Sequence, residues 1–308
     1  MDALSAYAPD AARTLGQVER AAWGAARSAG LGDLVELVSR VCAAQIGLAP
    51  LRPGPSYPAT RWGQAGAAPW RSIEALSPRD VCGLHFAEQF TADVASITPE
   101  LRTELFAEFG ARAADFVAVV FVVDFLPRTW AGLDALVGGI GGGRKALPDS
   151  EPPGIWEALD EFTRMVPALD ALDPVLTELV RLRGASQHRC RLCASLRSRP
   201  ALLAGAEEST FTSVLSDETG GLNATERSAI RFTDAMIWTP AAIPPDVVAA
   251  LRAELDDDQR VELVLDITRN ALNKVAVALA ADAPHVETGI EIYDVDPDGN
   301  LLYGLSLD

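Results

Sequence analysis

The sequence predicts an all-α fold built from two helical pseudo-repeats and ending in a short C-terminal β-hairpin. Three observations carry this. Alanine and leucine are abundant while aromatic residues make up only 6 %, a composition that favours helix. Segments of the first half can be laid on segments of the second at a nearly constant offset. The last twenty or so residues abandon helical spacing for strand-like runs around a turn.

The first half spans residues 1–136. "ELVSRVCAAQ" (36–45) lies on "ELVRLRGASQ" (178–187), so that Glu36 falls on Glu178 and Gln45 on Gln187. "FAEQFTADVASITPEL" (86–101) lies on "FTDAMIWTPAAIPPDV" (232–247), and "LFAEF" (105–109) on "LRAEL" (251–255). A shared offset across three blocks is the signature of a repeat, and apolar residues recur at helical spacing in each. "FVAVVFVVDFL" (116–126) reads as a buried core helix, too short to span a membrane.

Residues 137–154, "VGGIGGGRKALPDSEPPG", form a Gly/Pro-rich linker. A phosphate loop needs Lys then Ser or Thr after its last glycine. Here Gly143 precedes Arg144 and Lys145. The second half covers 155–286. The tail, 287–308, reads as two strands, "GIEIYDV" and "NLLYGLSL", around "DPDG". Asp294, Asp296, Asp298 and Gly299 also open a calcium-loop pattern, but its twelfth position is Leu305 rather than a bidentate Glu.

The chain has 308 residues, 43 acidic against 26 basic, for a formal charge of −17. That balance argues against non-specific binding to nucleic acid or to an anionic membrane. The basic residues are nearly all arginine, with Lys145 and Lys274 the exceptions. The start, "MDALSAYAPDAAR", lacks the basic and apolar runs of a signal peptide. Four cysteines do not suggest a disulfide scaffold. The expectation is a cytoplasmic protein.

Chemistry concentrates in "SQHRCRLCASLR" (186–197). Cys190 and Cys193 could be a redox couple, half of a metal site, or two packed thiols. In a helix, residues three apart share a face, at a separation that suits a disulfide. Residues 181–199 hold six arginines and no Asp or Glu, and cationic neighbours favour thiolate. If 190–197 is one helix, Arg197 shares a face with Cys193. Glu178, twelve residues before Cys190, could accept a proton. On spacing alone, a glutamate ion-paired with Arg181 or Arg183 is the simpler reading. His188 is the nearest histidine in sequence; His85 and His285 are distant. A loop or capping role is its simpler reading. Zinc would find three ligands at most in Cys190, Cys193 and His188, with Cys42 and Cys82 in the other half, so no metal or other cofactor is expected. Under the offset Cys190 falls on Leu48 and Cys193 on Leu51, so only the second half carries the pair.

The run "ELVRLRGASQHRCRLCASLRSRPAL" (178–202) resembles the signature of the carboxymuconolactone decarboxylase / AhpD-like alkylhydroperoxidase superfamily: Glu, an Arg-rich helix, Ser-Gln, then Cys-x-x-Cys. The resemblance is specific over 178–202 and extends more loosely over 174–285; the first half resembles a degenerate second copy. It implies an AhpD-like helical fold, a homo-oligomer, and a peroxide or small organic substrate. It implies Cys193 as the peroxidatic thiol, Cys190 as the resolving thiol and Glu178 as the relay carboxylate. A lipoyl or thioredoxin-like dithiol protein would be the reductant. The family histidine four residues after the second cysteine is Arg197 here. Arginine cannot shuttle protons near neutral pH, but it can stabilise a thiolate; His188 could substitute in the relay. Two other readings stand beside this one: a cofactor-free decarboxylase-like lyase whose arginines bind a carboxylate, and an inactive member in which the thiols only pack.

Overall fold

The computed structural model describes residues 3–52, 70–138, 151–215 and 221–307. The phosphate-loop reading at Gly143–Lys145 lies outside them. The described chain is mostly helical. The first half contains α1 (Ala3–Tyr7), α2 (Pro9–Ser28), α3 (Gly32–Ile46), α4 (Pro78–Asp93), α5 (Pro99–Phe109) and α6 (Ala113–Leu136). The second half runs α7 (Ile155–Met165), α8 (Pro174–Gln187), α9 (Arg191–Ser195), β1 (Leu196–Ser198), α10 (Arg199–Leu203), α11 (Glu208–Leu215), α12 (Ala224–Trp238), α13 (Pro245–Glu254), α14 (Asp257–Ala271) and α15 (Asn273–Ala278). The tail adds β2 (Glu291–Val295) and β3 (Leu301–Tyr303).

The element starts repeat. α2 and α7, α4 and α12, and α5 and α13 each begin 146 residues apart, and α3 and α8 begin 142 apart. The start signals repeat too. Ser77 before α4 and Asn223 before α12 each accept from the third helical N–H in a capping box, which satisfies amides that the first turn leaves unpaired. Packing follows the same plan: α3 on α4 and α6 in one half, α8 on α12 and α14 in the other. The halves meet where α2 packs on α7 and α6 on α14.

One hydrophobic core runs through both halves. α6 is its axis, with Phe116 through Thr129 buried without interruption, as the apolar run 116–126 predicts. A helix buried on all faces reads as a continuous apolar stretch rather than a stripe. A smaller cluster, centred on Leu179, Leu182, Phe211 and Ile230, joins α8 to α11 and α12. Each fully buried Leu or Phe contributes roughly 1.5–3 kcal/mol of burial free energy.

The tail hairpin is present, with Tyr293 opposite Tyr303 and Val295 opposite Leu301. The "DPDG" segment is its turn: the Asp296 carboxylate accepts from the Asp298 and Asn300 N–H groups. Among the described residues no group of three His, Cys, Asp or Glu is placed to hold a metal ion. No described helix is long and apolar enough to cross a membrane. A third strand was not legible in sequence. β1, directly after the Cys pair, runs parallel to β2, with Leu196 opposite Glu291 and Ser198 opposite Tyr293.

Candidate functional site: the Cys190–Cys193 segment

α8 ends at Gln187, and the chain turns through His188 and Arg189 into α9. Arg189 has φ 51°, a left-handed conformation costly for a side chain with a Cβ. Cys190 caps α9 through its sulfur, which accepts from Cys193 N–H at 3.2 Å. The two cysteines are joined by a disulfide, with Cα atoms 5.3 Å apart, as i,i+3 spacing allows. Cys190 is 1 % exposed and packs in the main core, whereas Cys193 is half-buried. Cys42 and Cys82 are free, fully buried thiols. Burial pushes each up to about 12, so both stay protonated.

Glu178 lies on the buried face of α8 at 1 % exposure. Its carboxylate is held on all sides: Arg181 Nε donates to one oxygen at 2.6 Å and Nη2 to the other at 2.7 Å. Ser198 N–H donates at 3.1 Å and the Tyr293 hydroxyl at 3.2 Å. The connection to the Cys pair runs through Arg181, which donates to the Cys193 carbonyl and the Leu196 carbonyl, each at 2.8 Å. The Arg181 guanidinium also stacks 5.1 Å above the Tyr293 ring. Bidentate, charge-assisted pairs of this kind fix geometry as well as charge. Glu178 and Arg181 therefore anchor the backbone that carries Cys193.

Arg197 departs from expectation. Helix α9 stops at Ser195, so Arg197 is on β1 and shares no helical face with Cys193. Its guanidinium grips Glu208 bidentately at 2.6 and 2.8 Å and donates to the Ala194 and Leu196 carbonyls. The break follows from pairing: the Leu196–Ser198 backbone is taken up by β2, which needs extended φ/ψ.

The whole arginine cluster behaves this way. Each guanidinium has a carboxylate from elsewhere in the chain or, for Arg181, from its own helix: Arg181 with Glu178, Arg183 with Asp234, Arg189 with Asp93, Arg191 with Asp282, Arg197 with Glu208, Arg199 with Asp294. The local reversal of charge seen in sequence is thus matched pair by pair. The basic stretch glues α9 and β1 to their surroundings.

His188 turns inward. It is 3 % exposed, its Nδ1 lies 2.8 Å from Asn273 Oδ1, and its ring stands edge-on to Phe125. With the Asn273 oxygen facing it, Nδ1 carries the hydrogen. Nε2 is buried with no hydrogen-bond partner among the described residues, an arrangement that costs about 1–3 kcal/mol. Burial, with the Lys274 charge behind it, pushes the imidazole down to about 3, so it is neutral. It adjoins a buried ion cluster in which Asp124 holds Arg128 at 2.6 Å and Lys274 at 2.5 Å. That cluster joins the halves, since Asp124 and Arg128 are on α6 and Lys274 on α15.

The structure thus brings Cys190 and Cys193 together, ties Glu178 to them through Arg181, points His188 into the core and commits Arg197 to Glu208. The Glu178–Arg181 pair is one of the two that spacing offers; sequence reasoning missed Arg181's hold on the Cys193 carbonyl, Tyr293 of the tail as a partner of Glu178, and Asp282 as a partner of Arg191. The available signal was six arginines with no acid among residues 181–199, five of which find carboxylates on other parts of the chain.

These features define an all-helical, internally repeated protein with one Cys-x-x-Cys disulfide directly before a short strand that pairs with the C-terminal hairpin. The chain is 40 % identical over 288 residues to "Uncharacterized protein Rv2313c" and to "Uncharacterized protein MT2376", from two strains of Mycobacterium tuberculosis, and each alignment covers 91 % of this chain and 95 % of the relative. The chain belongs to the family of these mycobacterial proteins. No family model matches it, and no solved structure matches it.

Proposed function

We propose that the protein is a thiol-dependent oxidoreductase of the alkylhydroperoxidase-like kind, working through Cys190 and Cys193. The supporting observation is the asymmetry of the pair: the sulfurs are bonded, Cys190 is sealed in the core and Cys193 is half-buried. An incoming reagent therefore meets Cys193 first. In the peroxidase direction the Cys193 thiolate attacks the peroxide, breaking the O–O bond. The alcohol leaves and a sulfenic acid remains. The Cys190 sulfur then displaces the sulfenic oxygen as water and closes the disulfide. Two electrons pass from the thiols to the peroxide. A dithiol protein of the lipoyl or thioredoxin type returns them by thiol–disulfide exchange at Cys193. Glu178 and Arg181 hold the Cys193 backbone in place during the cycle. The free, buried Cys42 and Cys82 fit a reducing, cytoplasmic setting, and a homo-oligomer belongs to the same reading.

The test is thiol counting on the reduced full-length protein before and after one equivalent of peroxide. Two of the four thiols should vanish together, return with a dithiol reductant, and stay unreacted in Cys193→Ser. If neither Cys190 nor Cys193 reacts faster than free cysteine, the redox reading falls.

A further inference from the structure

We infer that Asp282, nearly ninety residues downstream, is the positioning residue that sets the reactivity of the Cys190–Cys193 pair; this rests on the redox reading above. The first three amides of α9 are divided between two residues, Asp282 and Cys190. Arg191 N–H donates to Asp282 Oδ2 at 2.9 Å, and Leu192 N–H donates to the Asp282 carbonyl at 2.9 Å. Cys193 N–H donates to the Cys190 sulfur at 3.2 Å. The Asp282 carboxylate and the Cys190 sulfur, a prospective thiolate, therefore take the first and third amides of one turn, with the Asp282 carbonyl on the amide between them. Asp282 is 4 % exposed, and its second tie is the Arg191 guanidinium, whose Nη2 reaches Oδ1 at 2.8 Å.

The backbone on both sides of this contact is held in an unusual shape. Among the described residues, the non-glycine residues with positive φ are Arg189 at 51° and Ala280 at 56°. One directly precedes Cys190; the other stands two residues before Asp282. Strain of this kind persists only where surrounding structure dictates it. Here both instances aim the two partners of one contact at each other.

The consequence is electrostatic. The negative charge of Asp282 works against thiolate formation on the neighbouring sulfurs, and the Arg191 charge works for it. Asp282 and Arg191 are themselves an ion pair, like Arg181 with Glu178, Arg183 with Asp234, Arg189 with Asp93, Arg197 with Glu208 and Arg199 with Asp294, but theirs is the pair whose carboxylate takes the amide next to Cys190. Asp282 and Arg191 together thus set the balance of thiol and thiolate, and their separate removal should move it in opposite directions.

The experiment measures the pH dependence of iodoacetamide alkylation at Cys190 and Cys193, peptide by peptide, in the reduced full-length protein. It also measures the dithiol–disulfide equilibrium in glutathione buffers. Asp282→Asn keeps an acceptor for Arg191 N–H and removes the charge. It should raise the thiolate fraction at neutral pH by about three- to tenfold and shift the equilibrium toward the dithiol by a similar factor. Arg191→Met should lower the thiolate fraction and shift the equilibrium the other way. Simple loosening would move both variants in one direction. Shifts of the same sign, or none in variants that keep the wild-type melting temperature, overturn the inference. If Asp282→Asn does not fold, the sign of the Arg191→Met shift decides. If the wild-type pair never equilibrates with glutathione, the redox reading falls first and the inference with it.

Discussion

The chain leaving α3 and the chain leaving α8 start alike and end differently. At offset 142, Gly47 corresponds to Arg189, and both residues are left-handed, with φ 71° and 51°. In the first half glycine meets that need without a Cβ, and the exit carries on to Leu51, whose carbonyl accepts from Ser39 at 2.7 Å. In the second half an arginine is held in the same conformation, tied to Asp93, and the exit delivers a disulfide. The glutamates at matching places differ in the same way. Glu36 is also buried, but it pairs with Arg40 on the next turn of its own helix, whose side chain is 23 % exposed. Glu178 is sealed beneath the Cys segment with four hydrogen bonds. The same backbone plan serves as scaffold in one half. In the other it holds a non-glycine residue in the left-handed region directly before the Cys pair.

The largest expected effects test the buried aspartates that the two halves hold. Asp124, on α6, has two cations, and its carboxyl lies below the usual range: Arg128 and Lys274 outweigh the opposing burial. Asp266, on α14, has a buried oxygen without a partner among the described residues. Burial, reinforced by Glu262, pushes it up to about 8. The signs follow by linkage. The Asp124 contribution is present above the unfolded carboxylate pKa and is lost as pH falls. The Asp266 contribution is present below the unfolded pKa and is lost as pH rises from about 4 to about 8. Asp124→Asn should cost about 3–5 kcal/mol at neutral pH, because it strands two buried cations. Asp266→Asn should be nearly silent at pH 4 and stabilise by several kcal/mol at pH 9. Denaturant melts across that range check both, and an Asp266→Asn curve parallel to wild type would contradict the account.

A smaller effect sharpens the comparison of the two exits. Arg189→Gly relieves about 1–2 kcal/mol of left-handed strain and gives back about 0.5–1 kcal/mol in chain entropy. Stability should rise by roughly 0.5 kcal/mol. Gly47→Ala should fall by about 1–2 kcal/mol, since its Cβ would also come within 3.0 Å of Ala241 Cβ. Urea titration of the pair reads both; matching signs would break the correspondence.

What was legible in the sequence was local or periodic. The helices follow apolar spacing. The tail hairpin follows from "DPDG", and the Cys pair from its spacing. What was not legible depends on distant chain. Strand β1 exists because β2 comes back beside it from almost a hundred residues away, and that pairing ends α9 before Arg197. The thiolate-favouring field expected of six arginines is reduced to a balance of paired charges once Asp93, Asp234, Asp282 and others fold onto them. Glu178 pairs with Arg181, one of the two partners that spacing offers, but its further ties to Ser198 and Tyr293 come from β1 and β2, and no spacing rule could show those.

The central claim is that reactivity belongs to the second half alone. Site-resolved alkylation of the reduced, folded protein, with all four thiols quantified separately, tests it most directly. The account predicts that Cys193 is labelled first and Cys190 more slowly, while Cys42 and Cys82 are labelled only on unfolding. Labelling of Cys42 or Cys82 at a rate equal to Cys193 in the folded protein would contradict it.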